Sequence, residues 1–321
     1  MRALITGITG QDGSYLADRL VAEGAEVHGL VRAHDRESAT LLRRHPGIVL
    51  HEGDLADLDG LRRLVADVAP AELYNLAGIS SVAQSWKEPS LTGLVTGVAA
   101  AALLEAAADV PGIRVVQASS SEIFGEPDQA PQSETTSIAP TSPYGAAKAY
   151  AHRMAEFARL RGTFVAAAIL YNHESPRRPE TFVTRKITSA AVRIAAGTQD
   201  ELELGDLDVA RDWGWAPDYV DALIRMIRAD RPDTFVVATG ESHTVREFVA
   251  AAFAAAGVAD WESHVRTNPE FFRSGEINHM RGDSSRAREV LGWRPTVSFT
   301  DLVGRMVDAD RTASTGDSAR G

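Results

Sequence analysis

The sequence predicts an α/β fold: a Rossmann-type, doubly wound parallel sheet followed by a smaller C-terminal substrate lobe. Three observations lead there. Short apolar runs alternate with amphipathic stretches through the first half of the chain. A glycine-rich turn joins the first such run to the first amphipathic stretch. After Leu170 the alternation gives way to a long polar, proline-bearing segment.

The elements follow in order. "RALIT" reads as the first strand and "SYLADRLVAEG" as its helix. "EVHGLVR" and "GIVLHEGD" are the next strands, and "LDGLRRLVADVAP" leads to "ELYNLAG". "LVTGVAAAALLEAAADV" leads to "IRVVQASSS", and "PYGAAKAYAHRMAEFARLRG" to "FVAAAIL". Strand then helix, repeated, implies a parallel sheet covered on both faces, with right-handed crossovers. "YNHESPRRPETFVTRK" reads as one long loop. Later pieces, "ELELGD", "APDYVDALIRMIRAD" and "TFVVATG", divide between sheet and lobe. The expected organisation is a dinucleotide-binding domain over 1–171 with returns near 207–240, and a substrate lobe over 172–311. A small, polar tail over 312–321 is expected to be disordered.

Bulk composition narrows the class. With 321 residues and a net charge of −11, the chain is not a general nucleic-acid binder. It has no cysteine, which excludes disulfides and thiolate chemistry. No membrane span is expected, because the longest apolar run, "VAAAALLEAAADV", is interrupted by Glu105. The N-terminus has no signal-peptide layout, so a soluble cytoplasmic protein is expected.

"TGITGQDG" places Gly7, Gly10 and Gly13 at three-residue spacing between a strand and a helix. Glycines there permit a tight turn and close approach to a pyrophosphate, which the helix N-terminus attracts. Arg32, at the end of the second strand, stands where an acidic residue would select a free ribose 2′-hydroxyl. An arginine suits a 2′-phosphate, hence NADP rather than NAD. Asp54 is placed either to accept from an adenine amine or to cap the next helix. In "SPYGAAKAY", Tyr144 and Lys148 lie four residues apart, stacked on one helix face. A phenol needs a neighbouring ammonium to work as a base near neutral pH. "QASSSEIFGE" puts Ser119, Ser120, Ser121 and Glu122 at a strand's mouth. Glu122 reads as a reacting acid or as a turn cap. No second ligand sits at metal spacing around His173, so no metal is expected.

Taken together, "TGITGQDGSYLA", "QASSSEIFGE", "SPYGAAKAY", "NHESPRRPETFVTRKI", "LGDLDVARDWGWAPDYV" and "GDSSRAREVLGWRP" resemble the GDP-mannose 4,6-dehydratases, extended short-chain dehydrogenase/reductases. The resemblance spans nearly the whole chain. It implies a lyase acting on a nucleotide-diphosphate sugar, GDP-mannose first, with NADP recycled. It places Ser120, Glu122, Tyr144 and Lys148 as catalytic. Cofactor contacts would be Gly7, Gly10, Gln11, Asp12, Gly13, Arg32, Asp54, Leu55, Leu76, Ala77, Gly78, Ser80, Tyr144, Lys148, His173 and Arg178. Substrate contacts would be Ser81, Ser121, Asn172, Lys186, Arg211, Arg273 and Glu276. It also implies a homodimer or homotetramer, built on the Ala-rich helix around Val98 to Ala108 and the Tyr–Lys helix. The loop after Arg32 is shorter than the family's usual one, which leaves dimer against tetramer open. A nucleotide-sugar epimerase or 4-reductase, and a non-catalytic NADP-binding regulator, are the alternatives.

Overall fold

The computed structural model describes residues 1–127, 129–271, 277 and 279–318. Its centre is a seven-stranded sheet whose named pairings are all parallel. The strands are β1 (Arg2–Thr6), β2 (Glu26–Val31), β3 (Val49–Glu52), β4 (Glu72–Asn75), β5 (Arg114–Ser120), β6 (Phe164–Leu170) and, returning from the second half, Thr234–Val237. From one edge the order is Thr234–Val237, β6, β5, β4, β1, β2, β3. The chain starts in the middle and winds outward twice, so its direction reverses between β1 and β4. The carboxyl ends of those strands open a crevice there.

Side chains alternate between two buried faces, as strand geometry requires. Ala3, Ile5 and Val116 pack with the helices Gln11–Ala22 and Ala216–Ile227 on one side. Leu4, Leu73, Val115 and Val165 pack with Leu58–Val68 and Ala99–Ala108 on the other. A separate core joins Val183–Ala195, Val245–Ala256 and Phe299–Ser318 through Ile187, Phe248, Phe253, Leu302 and Met306. That second core is the physical basis for a smaller lobe.

Two expectations change, on the segment after Leu170 and on the tail. The run Pro89–Ala108 is helical throughout, with a π-helical segment at Gly93–Val98, and is long and apolar enough by composition to cross a membrane. However, 61% of its apolar window is buried inside the protein, as in a core helix. The stretch after Leu170 is not one loop. Asn172–Glu174 forms a short parallel pair with Trp213–Trp215, and a helix begins at Val183. The last helix, Phe299–Ser318, continues through most of the expected disordered tail.

Candidate active site

The glycine turn is built for close approach. Gly7 has φ +72, and a Cβ there would meet the Ala77 backbone at 3.1 Å. A Cβ on Gly13 would lie 2.2 Å from the Gly7 carbonyl oxygen, so the helix Gln11–Ala22 starts hard against β1. Its N-cap is Gly10, with no side chain to occupy the first-turn amides. This is a cradle for an anionic group at a helix N-terminus.

A cleft of about 620 Å³ opens over this turn. Its lining includes Gly7, Gly10, Gln11, Asp12, Gly13, Arg32, Asp54, Leu55, Leu76, Ala77, Gly78, Ser80 and Arg178. Ser81, expected at the substrate, lines the same cleft. So do Thr9, Asp35, Thr181 and Phe182, which motif spacing did not single out. Thr9 and Asp35 are linked by a 2.9 Å hydrogen bond between segments far apart in sequence, which no local pattern announces. Asp54 accepts from the Ala56 amide at 2.9 Å, and it is Asp57 that caps the following helix. Its capping alternative is thereby corrected.

His173 does not line the cleft but holds Asp12, which does. Its Nε2 stands 2.8 Å from an Asp12 carboxylate oxygen, and Nδ1 donates to the Tyr171 carbonyl at 2.7 Å. Burial works to raise the Asp12 pKa, but His173 and Arg178 outweigh it and hold the carboxyl down at about 2. Arg178 pairs with Glu174 at 2.9 Å and lies over the Phe182 ring. Its neighbour Arg177 turns away: it pairs with Asp18 at 2.6 Å and lies over the Tyr15 ring. Only Arg178 of that arginine pair faces the cleft.

The proposed reacting groups gather at the end of β5. Ser120 closes the strand, and its hydroxyl accepts from the Glu122 amide at 3.3 Å across the 3₁₀ turn Ser121–Phe124. Gly125 ends that turn at φ +63, where a Cβ would meet the Ala139 carbonyl oxygen at 2.0 Å. The helix Pro143–Leu160 opens with Pro143 in its first turn and Ser142 as cap, its hydroxyl accepting from the Gly145 amide at 3.0 Å. This start sets Tyr144 against Ser120, whose hydroxyl works to lower the phenol's pKa. Burial and the Glu122 charge push the phenol up to about 12. One turn on, the Lys148 ammonium lies 5.9 Å from the Tyr144 ring centre and donates to the Ala118 carbonyl at 2.9 Å. Burial brings Lys148 down to about 8, with Asp12 opposing.

The remaining substrate candidates are spread out. Ser121 is buried in the 3₁₀ turn, and Asn172 begins the short strand beside Trp213. Arg211 is buried and donates to the Ile277 carbonyl at 2.6 Å. Lys186 donates to the Glu203 carbonyl at 2.6 Å and lies over the Phe271 ring. Arg273 and Glu276 lie outside the described residues.

Residues 4–306 match the profile of the GDP-mannose 4,6 dehydratase family. The chain belongs to the GDP-mannose 4,6-dehydratase family. It is 46% identical over 323 residues to GDP-mannose 4,6 dehydratase 1 of Arabidopsis thaliana, covering 96% of this chain and 89% of that protein. It is 41% identical to the Homo sapiens GDP-mannose 4,6 dehydratase, covering 96% and 91%. Among solved structures, a dTDP-glucose 4,6-dehydratase of Streptomyces venezuelae with NAD bound superposes with TM-score 0.87 at 26% identity, covering 98% of each chain. The cleft over the glycine turn has the helix N-terminus and the close-packed glycines that suit a dinucleotide's phosphates.

Proposed function

We propose that the protein is a nucleotide-sugar 4,6-dehydratase whose substrate is GDP-mannose and whose product is the GDP-4-keto-6-deoxy sugar. The observation carrying this reading is Glu122, a carboxylate one short turn from Ser120 and close enough to Tyr144 to raise its pKa. Oxidation or epimerisation at C4 needs only the hydroxyl and the Tyr–Lys pair. A carboxylate beside them supplies the extra base that water elimination requires.

In this reading Tyr144 takes the proton from the sugar 4-hydroxyl while Ser120 holds that oxygen. A nicotinamide cofactor, held over the glycine turn by residues such as Gly7, Gly13 and Arg178, would supply hydride storage. Glu122 removes the C5 proton, which the 4-ketone acidifies, and passes it to the 6-hydroxyl, which leaves as water. Once hydride has returned to C6, C5 is reprotonated, the proton that Tyr144 took from O4 completing the balance. Lys148 holds positive charge near Tyr144 and favours its phenolate. The test is incubation with GDP-mannose without added reductant. The expected result is a 4-keto product absorbing in alkali; an unchanged sugar, or an epimer with no 4-keto product, sinks the reading.

The cofactor in this reading is NADP. Arg32 lines the cleft at the end of β2, where a guanidinium would fork a 2′-phosphate. Arg32→Ala should weaken NADP binding about 10-fold or more and leave NAD binding nearly unchanged. Equal loss for both would refute it. The protein would act as a dimer through the exposed face formed by Val98, Tyr150 and Phe157.

A further inference from the structure

A chain of buried hydrogen bonds runs across the sheet from the cofactor cleft to Lys148. It begins at the cleft wall, where the Leu76 and Ala77 amides donate to the Thr6 hydroxyl at 3.1 and 3.2 Å. With both lone pairs engaged, that hydroxyl has its proton left for the Asn75 side-chain oxygen, 2.7 Å away. This fixes the Asn75 amide: its NH₂ faces Gln117 and donates to Oε1 at 2.7 Å. Gln117 is fixed in turn, so its NH₂ donates to the Ala118 carbonyl at 3.0 Å. Lys148 donates to the same oxygen at 2.9 Å. Thr6, Asn75, Gln117 and Lys148 are all buried. The β4–β5 ladder ends at the pair Asn75–Gln117, so Ala118 stands one residue past it.

We propose that Gln117 is a positioning residue for the Tyr144–Lys148 pair: its amide, oriented through Asn75 and Thr6, shares the Ala118 carbonyl with Lys148 and so sets where the ammonium stands. The proposal deepens the dehydratase reading and rests on it for the role of Lys148. Two donors on one oxygen compete. The positive end of the Gln117 N–H dipole limits how firmly the carbonyl holds the ammonium, leaving it available to the phenol. Without that dipole, the carbonyl accepts from Lys148 alone and draws the charge away from Tyr144.

Among the described residues, the charged and titratable groups around Lys148 are few. They are Asp12 from the glycine-turn helix, Tyr144 and His152 one turn to either side on its own helix and, around Tyr144, Glu122 and Arg178. None of these is altered by substituting Gln117.

The test uses the full-length protein with ¹³Cε-labelled lysine. Only three lysines are present, so Lys87→Arg and Lys186→Arg assign the Lys148 signal. In Gln117→Met the titration midpoint of Lys148 should rise by about half a unit or more, because the charged form gains the carbonyl to itself. Turnover should fall about 10-fold with KM unchanged, as expected when a reacting pair is displaced rather than substrate binding lost. An unmoved midpoint in folded Gln117→Met overturns the proposal. Should that variant not fold, Gln117→Glu keeps a partner for Asn75 and places an anion at the same carbonyl. Its Lys148 midpoint should rise further, and an unmoved one overturns the proposal equally. The titration needs no turnover, so a wild-type protein inactive on GDP-mannose would sink the functional reading while the lysine signal still decides this one.

Discussion

His152 Nδ1 lies 3.0 Å from the Ser119 hydroxyl, joining the third turn of the Tyr–Lys helix to the strand that ends in Ser120. Tyr144, Lys148 and His152 follow one another at four-residue steps, and each reaches β5: Tyr144 at Ser120, Lys148 at the Ala118 carbonyl, His152 at Ser119. Helix and strand are stitched at three consecutive residues. The reacting hydroxyl and the phenol therefore keep one relative position, which is what proton transfer between fixed groups requires.

This stitch should be sensitive to acid. Burial lowers the His152 pKa to about 4, with Glu156 opposing. A neutral ring accepts from Ser119 at Nδ1 and carries its proton at Nε2, which faces Glu156 at 3.5 Å. An unfolded histidine titrates near 6.5, so between about pH 6.5 and 4 the unfolded chain takes up a proton that the folded one refuses. Stability therefore falls as pH falls through that window. His152→Gln should remove roughly 1–3 kcal/mol of that decline. Urea denaturation at pH 7, 5.5 and 4.5 measures it, and parallel curves for the two proteins would contradict the assignment.

Glu122→Gln separates the two halves of the proposed reaction. Ser120 and Tyr144 remain in place, so C4 oxidation should persist while solvent deuterium no longer enters C5. Mass spectrometry of recovered sugar nucleotide in deuterated water reads both. Incorporation at the wild-type rate would remove Glu122 from its role. Tyr144→Phe should do the opposite, losing C4 oxidation by about 10²–10⁴-fold.

Much of this site could be read in the sequence because it depends on local geometry. Gly7, Gly10 and Gly13 mark a turn, and Tyr144 and Lys148 mark a helix face, each within a few residues. The Thr6–Asn75–Gln117 chain could not, since its members come from three strands that become neighbours only in the folded sheet. Arg177 and Arg178 are adjacent and identical in type, and only packing against Tyr15 or Phe182 tells them apart. The tail was misread for a related reason. Its small polar residues carry no apolar stripe, yet they prolong a helix that Leu302 and Met306 anchor in the second core.

Gly13→Ala tests the cradle. The new methyl would sit 2.2 Å from the Gly7 carbonyl oxygen, a backbone atom that cannot swing aside. Either the helix start shifts or the turn opens, and both spoil the anion site at the first-turn amides. We expect NADP affinity to drop about 100-fold, together with a loss of roughly 1–3 kcal/mol in stability. Fluorescence titration with NADPH and thermal melting measure the two. Wild-type affinity in a folded Gly13→Ala protein would show that the turn does not carry the cofactor phosphates.

Phe157→Arg tests the outer face of the same helix. Tyr150 and Phe157 lie two turns apart and exposed, and Val98 is exposed on the helical run that packs against theirs. A charge at the centre of an apolar face costs little on a monomer and several kcal/mol once buried without a partner. The variant should melt within a few degrees of wild type yet sediment as a monomer at concentrations where wild type is a dimer. The stitched helix lies between this face and the strand bearing Ser120, so turnover in the monomer reports whether the second copy holds Tyr144 in register. A wild-type protein that is itself monomeric at the same concentrations would remove the face from the account.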